Sequence, residues 1–472
     1  MKVWYLCHWF FLFFLVMTAC SKPQEAYLGE EEVEITMGSP DTEVLLPPSV
    51  QENSKSVSEA EKETSPPSRR NVILLIADGG GFGAFYSAAD YLTGSPTGLF
   101  FQQPDWTFVS CATFHKKSSY EPEKDWLDFP NMNAVPPDSG STATALNTGV
   151  KTRNGRINIG PTDERLTTLA ELARERGMSV GLLTTTEIAD ATPAAVAGHE
   201  VERNHGPILF SQMLREGILD VMIGTGKPHQ TGGRLRRYGP SPEDWEKLLS
   251  GDLPLDWVFV GDGRGLRAYL SGTTPLPKRL VGIVPDIGPR PLSPQAEFSE
   301  EASPSLGELT PLLFQMLQRN DRGFYAMIEN GRVDRMNHNN DIRGVIEEMV
   351  EFCRTVEWVC DWVEKHSSWE ETLVVVTADH DTGGFMGEGL DREGRPLSAP
   401  RFSGQGKLPV GKFYSMEHTK MLVPVYAKGR GAEKLRQNIR GTDSYMAKYW
   451  HYDGKYIDNT DIFPVMRAVL TP

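Results

Sequence analysis

The feature that most constrains the fold is a series of continuous apolar runs along the chain. They are Val72–Ala77, Val180–Thr184, Val221–Ile223, Phe324–Ile328, Leu373–Thr377 and Leu422–Tyr426. Runs without polar alternation are typical of strands that are covered on both faces. Helical patterns separate them, at about 163–176, 207–216, 306–319 and 340–365. These repeated units predict an α/β fold, in which a mostly parallel central sheet has right-handed crossovers and helices on both faces.

Two segments depart from this pattern. Residues 226–304 are rich in Gly, Pro and Arg, with weak periodicity, and we expect an irregular insertion there. Residues 21–69 are rich in Glu, Ser and Pro and cannot bury enough apolar surface to fold, so we expect a disordered tether. The predicted catalytic domain is therefore residues 70–472.

Residues 1–20 have the pattern of a signal peptide with a lipobox. An apolar run that extends to Met17 is too short to span a membrane comfortably. The sequence Met17-Thr18-Ala19-Cys20 resembles a bacterial lipobox, in which Cys20 would carry the lipid. An ordinary cleaved secretion signal is the alternative. Both readings predict an exported protein, in the periplasm or at the cell surface, and the first adds a lipid anchor to a membrane.

Charge and cysteine content exclude some classes of protein. The net charge of −15 argues against a nucleic-acid partner. An acidic protein that binds phosphate must supply positive charge locally, and metal ions are one means.

Cys353 and Cys360 are seven residues apart in a helical pattern, which would place their Cα atoms about 10 Å apart. That distance is too long for a disulfide, and no disulfide framework is implied.

Small and hydroxyl-bearing residues are concentrated at Asp138–Thr144, directly after Pro136 and Pro137. Such a run lets backbone N–H groups approach an anion. It leads into Thr144–Asn147, where we expect a helix to begin. A serine at that junction would lie where the helix dipole favours negative charge, which suits a phosphate or a nucleophile. Taken alone, a run of this kind is more often an ordinary turn.

Carboxylates and imidazoles follow the ends of several predicted strands. The set comprises Asp78, Glu329, Asp334, His338, Asp379, His380 and His418. Ligands bind such sheets at the carboxyl ends of the strands. These side chains suit two zinc ions about 4 Å apart, with an oxygen-rich third position for magnesium. A single aspartate there is more often a cap, but the whole set predicts a metal site.

These residues resemble the alkaline phosphatase family. The resemblance rests on Ile73–Gly79, Pro137–Thr144, Thr148–Gly155 and Thr184–Ala195, and it covers the chain from about Asn71 to the late strand. It implies an alkaline phosphatase-like catalytic domain that hydrolyses phosphate monoesters. Ser139 is the implied nucleophile, which forms a phosphoserine intermediate, and Arg203 the implied phosphate-binding residue.

The resemblance also implies a ligand set for each metal and a homodimer. One zinc would take Asp334, His338 and His418, and the second Asp78, Asp379, His380 and the oxygen of Ser139. Magnesium would take Asp78, Thr192 and Glu329.

The sequence departs from the family at Pro136 and at Arg335. The position of Arg335 varies in the family and bears on the pH optimum and the turnover of its members.

The alternative function is a phosphodiesterase, a sulfatase or a specialised phosphatase of the same superfamily. A surface-binding lipoprotein without activity is a further class. A sulfatase lacks support because its cysteine-containing signature is absent from the sequence. An inactive protein would lack a ligand, and none of the implied ligands is missing. Six histidines have no assigned role: His115, His199, His205, His229, His366 and His451.

Overall fold

The central sheet contains all six of the strands that the sequence predicts. The computed structural model describes residues 69–127, 129–228, 237–289, 292, 303–389 and 398–471. Its strands are β1 (Arg70–Ala77), β2 (Thr107–Ala112), β3 (Ser179–Glu187), β4 (Val221–Thr225), β5 (Trp257–Val260), β6 (Arg279–Ile283), β7 (Gly323–Asn330), β8 (Thr372–Thr377), β9 (Asp381–Thr382), β10 (Phe385–Met386), β11 (Lys412–Phe413), β12 (His418–Thr419), β13 (Val423–Gly429), β14 (Gly441–Thr442) and β15 (Lys455–Asp458).

Helices connect most of these strands. They are α1 (Phe82–Thr93), α2 (Pro122–Asp125), α3 (Phe129–Met132), α4 (Ser139–Thr148), α5 (Leu169–Glu175), α6 (Ala191–Ala194), α7 (Gly206–Arg215), α8 (Pro242–Ser250), α9 (Gly263–Leu270), α10 (Leu306–Leu317), α11 (Arg332–His338), α12 (Ile342–His366), α13 (Ser444–Tyr449) and α14 (Ile462–Leu470). In the described part of the chain, no helix has both the length and the apolar content to cross a membrane.

One large sheet runs in the order β14-β15-β2-β13-β8-β1-β7-β3-β4-β6-β5 among the described residues. Strand β1 lies near its centre and pairs in parallel with β7 and β8. Every residue from Val72 to Ala77 is fully buried, as the continuous apolar run predicts. Two groups of helices contact the sheet, one built from α1, α10 and α12 and the other from α5 and α14, against which α4 packs. The predicted α/β fold with a mostly parallel sheet is therefore confirmed.

The register of the central strands brings the polar strand ends together. Ile76 of β1 lies opposite Glu329 of β7 on one side and Thr377 of β8 on the other. Asp78 and Asp379 each follow two residues later, so their side chains leave the same edge of the sheet. Because all three strands are parallel, this edge is the carboxyl edge on which the sequence predicts the ligands.

Three features differ from the expectations. The helix expected at 163–176 begins only at Leu169, because Thr168 and Glu171 form a capping box at its start. Strand β13 is antiparallel to its neighbours β8 and β2. The segment expected to be an irregular insertion contains α8, β5, α9 and β6 within residues 237–289, and β5 and β6 extend the sheet in parallel. These strands have only four and five residues, too few for a clear pattern.

The remaining boundaries are close to those expected. The long helix predicted at 340–365 is α12, which ends at His366. Cys111, Cys353 and Cys360 are buried free thiols, which confirms that these cysteines form no disulfide. The predicted signal peptide and most of the tether lie outside the described residues.

Candidate active site and metal centre

Ser139 is the first residue of α4, which begins earlier than the predicted start at Thr144. Asp138 caps the helix, and its carboxylate accepts a hydrogen bond from the Ser141 N–H at 2.9 Å. The same carboxylate accepts the Gly155 N–H at 2.9 Å. The Ser139 side chain is therefore held at the positive end of a ten-residue helix, where a bound anion or an oxyanion is stabilised.

His380 contacts the Ser139 hydroxyl and two further predicted ligands. The Nε2 atom of His380 lies 3.2 Å from Ser139 Oγ. The same nitrogen lies 3.2 Å from Asp379 Oδ2 and 3.6 Å from Asp78 Oδ1. Asp379 and His380 follow β8 and Asp78 follows β1, so adjacent parallel strands build this group.

A second group lies beside the first. His338 Nε2 is 3.3 Å from Asp334 Oδ2, as expected for residues four apart on the single helix α11. His418 Nε2 is 3.2 Å from His338 Nε2 and 3.6 Å from Asp334 Oδ1. The pairing of β12 with β9 places His418 opposite Thr382. The rings of His418 and His380 stack with centroids 3.7 Å apart, so the two groups are in direct contact.

The hydrogen bonds of His338 and His418 show which ring nitrogens of the two side chains face each other. His418 Nδ1 donates to the Pro137 carbonyl at 2.8 Å, and His338 Nδ1 donates to the Met416 carbonyl. Each neutral ring then has an acceptor at Nε2, and these two acceptors face each other. Two lone pairs at 3.2 Å are unfavourable unless a cation or a proton lies between them.

The spacing of the donor atoms fits tetrahedral metal ions. An ion with ligands at about 2.1 Å separates them by about 3.4 Å. Six distances between donor atoms in the two groups, three of them from His380 Nε2, range from 3.2 to 3.6 Å. The residues present therefore fit a metal ion in each group, and the mixture of imidazole and carboxylate donors is one that zinc prefers.

The third predicted position is oxygen-rich. Glu329 is buried and accepts hydrogen bonds from the hydroxyls of Thr184 and Thr186. Thr192 lies on α6, which contacts both α4 and β7. Within the described residues, Thr192 Oγ1 and Asp78 Oδ1 are buried without a hydrogen-bond partner. Oxygen atoms left unpaired in this way are what a hard cation such as magnesium binds.

The pKa values of the carboxylates at the carboxyl edge of the sheet also favour bound metal ions. Burial, and then the charges of Asp379, Asp334 and Glu329, raise the pKa of Asp78 well above its usual value. Burial raises the pKa of Glu329 to about 8. Asp334 differs, because the hydrogen bond from His338 and the charges of His418 and His380 outweigh burial and lower its pKa. Several buried carboxylates repel one another here, and divalent cations would offset that repulsion.

Arg203 supplies the fixed positive charge. Its guanidinium donates to Asp138 at 3.1 Å and to Asp190 at 3.0 Å. The charges of these two carboxylates raise the pKa of Arg203, although burial opposes them. Among the described atoms, its Nε is buried without a partner. A guanidinium oriented from two sides and left with unpaired N–H groups can bind two oxygens of a phosphate.

Several supporting residues were not predicted from the sequence. Thr382 donates to Asp334 at 2.6 Å, Thr142 donates to Asp379 at 3.2 Å, and Asp190 holds Arg203. All three lie within stretches that the sequence marks as polar, but hydroxyl and carboxyl groups are common in turns, so no pattern distinguishes their roles. Arg335, whose role the sequence left open, forms an ion pair with Glu187.

One more group of possible metal-binding side chains lies outside this site. Glu171, His199 and Glu216 approach one another. Arg165 already contacts Glu171 at 2.8 Å and Glu216 at 3.1 Å, so the negative charge of this group is balanced by a side chain. It does not resemble the centre at the sheet edge.

This chain is similar to proteins of one known family. A family model for alkaline phosphatase matches residues 69–230 and 288–440. Alkaline phosphatase 3 of Bacillus subtilis is 28% identical over 67% of this chain, but the alignment spans only 62% of that protein. Streptomycin-6-phosphate phosphatase of Streptomyces griseus is 29% identical, over 88% of this chain and 93% of that protein.

Solved structures show the same fold. The alkaline phosphatase of the Antarctic bacterium TAB5 matches with a TM-score of 0.60 and 22% identity, over 85% of this chain and 98% of that one. A variant of that enzyme, with a TM-score of 0.58 and 21% identity over 86% of this chain and 99% of that one, is described with Mg bound in a site named M3.

Removal of one imidazole should reduce zinc content. We expect the His418→Ala protein, purified with zinc and dialysed, to hold about one zinc fewer per chain than wild type, because Asp334 and His338 alone bind zinc weakly. Inductively coupled plasma mass spectrometry measures this difference. The exposed His366 at the end of α12 provides a matched control, and His366→Ala should keep the wild-type content. Equal zinc contents in both variants would contradict this assignment.

Proposed function

The chain belongs to the alkaline phosphatase family of phosphomonoesterases, and we propose that it hydrolyses phosphate monoesters through a phosphoserine intermediate on Ser139. The observation that carries the proposal is the position of the Ser139 hydroxyl. It lies at the N-terminus of α4, 3.2 Å from His380 Nε2, in a group with the donor spacing of a single metal ion. A hydroxyl in that place is both activated and oriented, which a nucleophile requires.

The side chains would divide the metals as follows. Zinc would be held by Asp334, His338 and His418 in one group and by Asp78, Asp379, His380 and Ser139 in the other, and magnesium by Asp78, Thr192 and Glu329. When bound, these two zinc ions and one magnesium ion lower the pKa of a coordinated hydroxyl and stabilise the charge of the transferring phosphoryl group.

The protein's own groups define the steps. Ser139 Oγ attacks phosphorus, the bond to the ester oxygen breaks, and the alcohol leaves with a proton. Water then attacks the phosphoserine, which releases inorganic phosphate and restores Ser139. Throughout, Arg203 and the N–H groups at the start of α4 bind the non-bridging oxygens, whose negative charge they stabilise. Asp138 and Asp190 restrict Arg203 to one orientation, so the phosphate enters a preformed site.

The competing function is a phosphodiesterase, a sulfatase or a specialised phosphatase of the same superfamily. We expect the purified protein to prefer p-nitrophenyl phosphate over bis(p-nitrophenyl) phosphate and p-nitrophenyl sulfate by about 10²-fold or more in kcat/KM. A monoester has two charged oxygens to bind, and the analogues leave part of the site unpaired. Steady-state kinetics on this panel, extended to streptomycin 6-phosphate, makes the comparison. A preference for the diester or the sulfate would refute monoester hydrolysis as the main activity, and a large preference for the streptomycin ester would identify a specialised phosphatase.

Loss of the Ser139 hydroxyl should abolish turnover but not metal binding. We expect Ser139→Ala to lower kcat on p-nitrophenyl phosphate by about 10³-fold or more, with most of the metal content retained, since histidine and carboxylate ligands remain. Acid-quenched wild-type enzyme should contain phosphoserine at residue 139 by mass spectrometry.

The control for this prediction is Ser141→Ala in the same helix turn. Ser141 Oγ bonds the Asp138 carbonyl and Asn154, and it contacts none of the proposed ligands. This variant should stay within about tenfold of the wild-type kcat, because only a partly buried hydrogen bond is lost. Wild-type turnover by Ser139→Ala would exclude Ser139 as the nucleophile.

We further propose that the protein is exported and held at a membrane by a lipid on Cys20. The support is the lipobox-like sequence around Cys20, which lies outside the described residues. Cells fed labelled palmitate should incorporate label into the wild-type protein and into Cys360→Ala, but not into Cys20→Ala. An unlabelled wild-type protein that is cleaved and secreted would show that the segment is an ordinary signal peptide.

A further inference from the structure

Tyr238 lies beside the ion pair of Arg203 and Asp190, which orients the arginine proposed to bind phosphate. Its hydroxyl donates to Asn204 Oδ1 at 2.7 Å, and its carbonyl accepts the Ala189 N–H at 3.1 Å. Asn204 directly follows Arg203, and Ala189 directly precedes Asp190. The two ends of Tyr238 are thus bonded to the chain neighbours of Arg203 and Asp190, and its ring extends between those bonds.

The backbone that carries Tyr238 is closely packed. A Cβ atom on Gly206, the first residue of α7, would lie 2.0 Å from the Arg237 carbonyl oxygen and 2.7 Å from the Tyr238 Cα. A Cβ atom on Gly239 would lie 2.3 Å from the Gly226 carbonyl oxygen. Backbone approaches this close occur only at glycine and leave little room for movement. The backbone of Tyr238 is therefore held by packing on both sides of the residue, and the Asn204 hydrogen bond holds the end of its ring.

Arg203 and Asp190 form the more exposed side of the site. The Asp379 and His380 side chains are 0% exposed, whereas those of Arg203 and Asp190 are 19% and 22% exposed. Tyr238 is half-buried beside this more exposed pair. The phosphoryl group of a bound monoester points inward to Ser139, so its alcohol group must extend toward the open side.

The Tyr238 ring is suited to contact an uncharged group of a ligand. Burial, and then the nearby charge of Asp190, raise the pKa of Tyr238 above its usual value, which favours the neutral phenol. Its hydroxyl is engaged with Asn204, which leaves the ring as the surface available to a ligand. Aromatic rings favour other flat or apolar groups by stacking and edge contacts.

On these grounds we infer that Tyr238 is a specificity-determining residue, whose ring contacts the alcohol group of the substrate and favours aryl or other flat apolar esters. This inference rests on the proposed monoesterase activity. Tyr238 belongs to a segment outside the residues that the family model matches. The family model therefore does not include this contact, whereas it does include Arg203.

A comparison of two substrates tests the inference. For Tyr238→Ala we expect kcat/KM on phenyl phosphate to fall about five- to tenfold, mostly through KM, the range that one aromatic contact supports. On methyl phosphate, which has no ring, the change should stay below about twofold. Tyr238→Phe keeps the ring and should keep the preference for phenyl phosphate. Tyr269→Ala, at a half-buried tyrosine on α9 in the same segment, should match wild type on both substrates.

Inhibition by inorganic phosphate separates specificity from a structural role. If Tyr238 contacts the alcohol group, Tyr238→Ala should keep the wild-type inhibition constant for phosphate. Equal losses on both substrates with weaker phosphate inhibition would show that Tyr238 only supports Arg203, and an unchanged preference for phenyl phosphate would also overturn the inference. A wild-type protein without activity on either monoester would instead refute the proposed function, so the two failures are distinguishable.

Discussion

The structure depends on the concentration of negative charge at the carboxyl edge of the parallel sheet. Strands β1, β7 and β8 end together, so Asp78, Glu329 and Asp379 leave the same edge and are buried there. Burial alone raises the pKa of such groups, and their mutual repulsion adds to the effect. A fold that brings these carboxylates together is stable at neutral pH only if cations or protons balance them. The imidazoles beside them, and the facing acceptor nitrogens of His338 and His418, favour metal cations.

The glycines after β1 show how closely the edge is packed. Gly79 has a φ of +68°, which side chains rarely adopt, and a Cβ atom there would lie 2.6 Å from Asp334 Oδ1. A Cβ atom on Gly81 would lie 1.8 Å from Asp381 Oδ1. The backbone after Asp78 therefore passes directly against α11 and β9. Two ligand groups that come from distant parts of the chain can meet at one point only because this turn has no side chains.

The sequence predicts the central strands and the ligands because both depend on local patterns. An apolar run such as Val72–Ala77 defines a buried strand by itself, and Asp78 follows it directly. The start of α4 was expected five residues too late, because the Asp138 cap and the small residues after it also describe a turn. The sequence does not indicate strands β5 and β6, the antiparallel direction of β13, or the supporting residues Asp190 and Thr382. Their places depend on contacts between segments far apart in the chain, which no local pattern encodes.

The site has an inner and an outer side, and different parts of the fold hold each of them. On the inner side, Ser139, His380 and Asp379 are fixed by the sheet edge and by a helix start, and small shifts there would break several contacts at once. On the outer side, Arg203 is held by Asp190, and Tyr238 lies along that pair on a segment with its own short strands. A change in this segment can alter which alcohol group fits without moving the metal-binding edge. The division explains how one arrangement for phosphoryl transfer can be combined with a substrate preference particular to this chain.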